Sequence, residues 1–80
     1  MRKVDPPKRF SGRLLKKYMK EADYTIQYLA EVCTKLGYPI HRNSIRRAIE
    51  QNNTSTFHLM GFSEALDRPL EDFFEDAPDD

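Results

Sequence analysis

The stretch TIQYLAEVCTKLGYPIHRNSIRRAIEQ, residues 25–51, decides the fold. Thr25 is a good N-cap, and Leu29, Ala30, Val32, Cys33 and Leu36 then follow in a helical pattern until Gly37 ends it. Tyr38-Pro39-Ile40 must be a turn. Proline cannot continue the helix and drives the residue before it out of helical geometry. After a polar cap at His41, Ile45, Ala48 and Ile49 mark the inward face of another helix over about residues 42–51. Its outward face carries Arg42, Asn43, Arg46 and Arg47.

The same spacing extends in both directions. Upstream, Ser11 can cap a helix, with Phe10 and Leu15 placed as a hydrophobic staple. Leu15, Tyr18, Met19 and Ala22 then form its buried stripe and turn the lysines outward. Downstream, Asn52 to Ser55 is a polar connection, Leu59, Phe62, Ser63 and Leu66 place a helix at about 56–67, and Pro69 starts a short last one whose Leu70, Phe73 and Phe74 pack back. No segment alternates as a strand. The expectation is all-α, a compact five-helix bundle: residues 1–10 a basic N-terminal arm, 11–74 the folded domain, and 75–80 a frayed acidic tail.

Thirteen basic and thirteen acidic residues cancel in the total but not along the chain. Residues 1–20 carry a net charge of +7 and residues 61–80 a net charge of −7. Such asymmetry suggests a basic end for a polyanion and an acidic end kept away from it. One cysteine excludes an internal disulfide, and two histidines 17 positions apart offer no metal cluster. No apolar run is long enough for a membrane span and no signal-peptide core is present, so a soluble, cytoplasmic protein is expected. Without a nucleophile–base set, a metal cluster or a glycine-rich phosphate loop, no enzyme activity, cofactor, metal or small-molecule ligand is expected.

Three pieces, Leu15-x-x-Tyr18, Thr25-x-x-x-Leu29-Ala30 and Ala65-Leu66-x-x-Pro69-Leu70-Glu71-Asp72-Phe73-Phe74, occur in the order and spacing of a known family. Over about residues 13–74 the chain resembles the Cro and phage-repressor, or XRE-like, helix-turn-helix DNA-binding domains. The resemblance implies a lambda-repressor-like fold and a sequence-specific transcriptional regulator, Cro-like in lacking a second domain, whose third helix enters the major groove of double-stranded DNA. This chain departs from the family pattern in two ways. Its stretch between helices 2 and 3 is about five residues longer. The family's arginine–glutamate pair between helices 1 and 3 is replaced by Met19 and Ile49, which are therefore expected to touch.

In that register Arg42, Asn43 and Arg47 are the expected base contacts. Arg46, Ser44, Thr25, Gln27, Asn53, Thr54 and Ser55 are the expected backbone contacts, and Arg2, Lys3, Lys8 and Arg9 form a basic arm adding non-specific affinity. The competing view of the arginines is a solvated helix face partnered by residues such as Glu50, and that of Thr25 is a plain helix cap. A homodimer is expected, with Phe57, Met60 and Phe74 as candidate contacts and Phe73 assigned to the core. The alternative is a protein-binding helix-turn-helix adaptor, such as an antirepressor, an antitoxin-like protein or a phage inhibitor, that uses the extended turn or the acidic tail.

Overall fold

Polar side chains start every α-helix of the computed structural model, which describes residues 8–76. Helix α1 (Gly12–Glu21) begins at Ser11, α2 (Ile26–Lys35) at Thr25, α3 (Arg42–Gln51) at His41 and α4 (Thr56–Leu66) at Ser55. Each cap side chain accepts a backbone N–H from the first turn: Leu14 at 3.2 Å, Tyr28 at 3.0 Å, Asn43 at 3.1 Å and His58 at 3.2 Å. These bonds satisfy donors that have no partner inside the helix.

The helix ends are equally local. Gly37 takes φ +99°, its N–H donates to the Thr34 carbonyl and the Tyr38 N–H to the Cys33 carbonyl, the paired bonds of a Schellman stop. Asn52 and Asp67 close α3 and α4 in the left-handed region, which short polar side chains tolerate.

The described residues hold four α-helices, not five. The expected fifth is a single 3-10 turn, Leu70–Phe73, because the chain passes at once into a strand, β2 (Phe74–Asp76). It pairs antiparallel with β1 (Lys8–Phe10), so a short ribbon exists where no strand was expected. Three residues per strand are too few for alternation to register in a sequence.

The ribbon also brings together the charged ends that were expected to stay apart. Lys8 lies opposite Asp76 and Arg9 opposite Glu75, while Phe10 and Phe74 pair at the inner end with rings edge to face, 6.5 Å apart. Arg13 adds a 2.6 Å salt bridge to Glu75. A free arm and a frayed tail therefore describe neither Lys8–Phe10 nor Glu75–Asp76. Arg2 and Lys3 lie outside the described residues.

The hydrogen bond from the Arg13 guanidinium, then the one from Ser11, holds the Glu75 carboxyl below its ordinary range, outweighing partial desolvation. A depressed carboxyl stabilises the fold above its unfolded-state pKa, and that stabilisation is lost as pH falls through the folded value. Glu75→Gln is thus expected to lower the urea midpoint at pH 7, with the gap to wild type closing when both are titrated to about pH 2. A gap of constant size would contradict this.

Leu15, Met19, Leu29, Cys33, Ile45, Ala48, Leu59, Phe62 and Phe73 form one core, joined by Phe10, Ala30 and Ile40. Burial pushes the Cys33 thiol up to about 11, so it stays protonated within that core. Ala22 and Leu36, expected to be buried, are exposed because each is the cap just past its helix. Leu70 also faces outward at 42% exposure. Met19 belongs to this core and Ile49 packs against it, and the tight approach of their helices lies two turns before Met19. A Cβ on Gly12 would stand 2.2 Å from the Ile49 carbonyl oxygen and 2.6 Å from that of Ala48. The Gly12 N–H donates to Asn52 Oδ1 at 2.9 Å, which ties the start of α1 to the end of α3.

Candidate nucleic-acid interface

Helix α3 spans Arg42–Gln51, with Ile45 and Ala48 fully buried and Ile49 half-buried. That inward face turns Arg42, Asn43, Arg46, Arg47 and Glu50 to the surface, and all five are exposed. Glu50, the partner a merely solvated face would use, makes no ion pair with them. No carboxylate of the described residues lies within 4.0 Å of the three guanidinium groups.

Grooves flank α3 on two sides. Between α2 and α3, Ala30 and Ile40 contribute apolar wall to a depression of about 500 Å³, also lined by Gln27, Thr34, His41 and Arg42. Ser44 and Arg47 line a second groove of about 350 Å³ together with Asn53, Thr54, Ser55 and His58, at the start of α4. The expected residues are thus sorted by side: Gln27 with Arg42, and Ser44 and Arg47 with the 53–55 link. Thr25 lines neither groove, and its hydroxyl oxygen is engaged in capping α2.

Two assignments change in detail. Gln27 donates to Glu31 at 3.3 Å, so an acidic group stands beside one of the supposed phosphate contacts. Thr54 Oγ1 is buried with no hydrogen-bond partner among the described residues, so the exposed Asn53 and Ser55 present the polar surface of that link. An unsatisfied buried hydroxyl costs about 1–3 kcal/mol.

The link runs from Leu36 to His41, with only Thr34 and Lys35 of the lengthened stretch inside α2. It is fastened down. The Tyr38 ring packs on Phe57 at 5.3 Å, its hydroxyl donates to Glu64, and Ile40 is buried. The bond to Glu64 raises the Tyr38 phenol above its ordinary range. An extended turn of this kind holds α3 rather than freeing it.

No protein-family model matches the chain, and no curated protein or solved structure is similar enough to count as a match.

Sequence reasoning missed His58 and Lys35. His58 lies three residues after the Ser55 cap, in the first turn of α4, and that offset from the cap was the available signal. Lys35, in the last turn of α2, lines the α2–α3 groove with Arg42. Among the candidate dimer contacts, Phe57 and Met60 are exposed at 47% and 41%. Phe74 is instead half-buried against Phe10 in the ribbon, which leaves it little surface for a partner. Phe73 is fully buried, as expected. No helix of the described residues is long and apolar enough to cross a membrane.

Proposed function

We propose that the chain is a sequence-specific DNA-binding transcriptional regulator, a lambda-repressor-like, Cro-like helix-turn-helix domain with α2 and α3 as its motif. The observation that carries this is the outer face of α3, where three exposed arginines and Asn43 have no described acidic partner and grooves lie on either side, the one towards α4 lined by polar side chains. An arginine can donate two hydrogen bonds to guanine O6 and N7, and asparagine can pair with adenine N6 and N7. Arg42, Asn43 and Arg47 take these roles. Arg46, Ser44, Asn53 and Ser55, with the N-termini of α2 and α4, position the module on phosphates.

One recognition helix covers only a few base pairs, and two copies on half-sites a helical turn apart extend the contact. The exposed Phe57 and Met60 on α4 supply an apolar surface for that homodimer. The regulator acts in the cytoplasm as a repressor of the kind phages and mobile elements carry, and it needs no cofactor.

Polarisation titrations of a labelled duplex at a series of salt concentrations test this. Neutralising about five phosphates gives log K against log salt a slope of about −4.5. A salt-independent constant would rule out the DNA reading.

A protein-binding adaptor is the second reading, favoured by Leu36, Phe57 and Met60, which are exposed around the end of α2 and on α4. An adaptor would bind no duplex even at low salt.

A further inference from the structure

Helix α1 carries more positive charge than solubility requires, and all on one side. Arg13, Lys16, Lys17 and Lys20 stand at i, i+3, i+4 and i+7, are all exposed, and line one shallow depression that ends at Glu21. Leu15 and Met19 occupy the opposite, buried face.

Every neighbouring pair in this row is like-charged, an arrangement that destabilises a helix at these spacings. Arg13 in the first turn also opposes the helix dipole. A face kept only for solvation intersperses both signs. Among the described residues only Arg13 has a carboxylate within 4.0 Å, that of Glu75. Lys16, Lys17 and Lys20 have none.

The row begins beside α3. Gly12 abuts the Ala48 and Ile49 carbonyls, and Lys16 and Lys20 follow it at i+4 and i+8 on the same side of α1. α1 thus meets α3 at the inward, C-terminal end of that helix, and its row presents positive charge outside the two grooves that flank the α3 arginines.

We propose that the basic face of α1 is a second contact surface for a nucleic-acid backbone, taking phosphates outside the groove that α3 reads and without reading bases; this rests on the DNA-binding function proposed above. The helix sacrifices stability for a row in which Lys16, Lys17 and Lys20 have no described carboxylate and a polyanion supplies the missing charge.

The test is the triple variant Lys16→Gln, Lys17→Gln, Lys20→Gln in the full chain. Glutamine is a comparable helix former, so the variant is expected to melt at or above the wild-type temperature. Its salt slope on duplex DNA becomes shallower by about 2 to 3, affinity at moderate salt falls tenfold or more, and the ratio of specific to random-sequence binding stays unchanged. A wild-type slope and affinity in the variant overturn the α1 surface alone. A wild type that binds no duplex at low salt overturns the DNA-binding function and this surface together.

Discussion

Gly12→Ala is expected to lower the thermal midpoint by about 10–20 °C. In an isolated helix alanine would be favoured over glycine by about 1 kcal/mol. Here the added methyl carbon would stand 2.2 Å from the Ile49 carbonyl oxygen and 2.6 Å from the Ile49 Cα. Both neighbours are backbone, so no side chain can rotate away. The helices must separate, stretching the 2.9 Å bond from the Gly12 N–H to Asn52. Overpacking costs about 1–3 kcal/mol, and an immovable neighbour places this case at the upper end. For a domain of this size each kcal/mol moves the midpoint by about 4–8 °C. Scanning calorimetry or circular dichroism checks the result, and a midpoint within about 2 °C of wild type would mean that α1 and α3 do not meet this closely.

The second large effect falls on binding. Arg42→Ala combined with Arg47→Ala is expected to erase at least about 30-fold of preference for a specific site, since each bidentate contact discriminates by about 1–3 kcal/mol. Both side chains are exposed and without described acidic partners, so the fold should be nearly indifferent, within about 0.5 kcal/mol for each change. Weakened binding to random duplex is expected as well, though by less, because both arginines also carry charge. Competition titrations of a selected site against random duplex measure the ratio. A preference that survives intact would place base reading elsewhere than α3. The two guanidinium groups lie towards different flanks of α3, Arg42 with Gln27 and Arg47 with Ser44 and the 53–55 link, so the single variants should relax specificity at different positions of the site.

Both predictions depend on how α3 is held, and that was only partly legible in advance. The boundaries of α3 at residues 42 and 51, its His41 cap and its inward residues Ile45 and Ala48 follow from spacing and cap chemistry, which act within a turn or two of chain. The same holds for the caps at Ser11 and Thr25 and the stop at Gly37. The tight approach of α1 to α3 falls at Gly12, whose importance is invisible in a sequence because it consists of what the residue lacks. His58 is marked only by its offset of three residues from the Ser55 cap, a signal that points to its place in the first turn of α4 and not to the groove it lines.

The sequence by itself determined the four helices, their caps, the outward arginines of α3 and the one-sided basic row of α1, all set by interactions between near neighbours. Tertiary structure alone decided the ribbon of Lys8–Phe10 with Phe74–Asp76, the burial of Phe10 and the meeting of the basic and acidic ends. Those contacts join residues more than sixty positions apart. Charge segregated along a chain carries no information about separation in space until the core has closed and placed Lys8–Phe10 beside Phe74–Asp76.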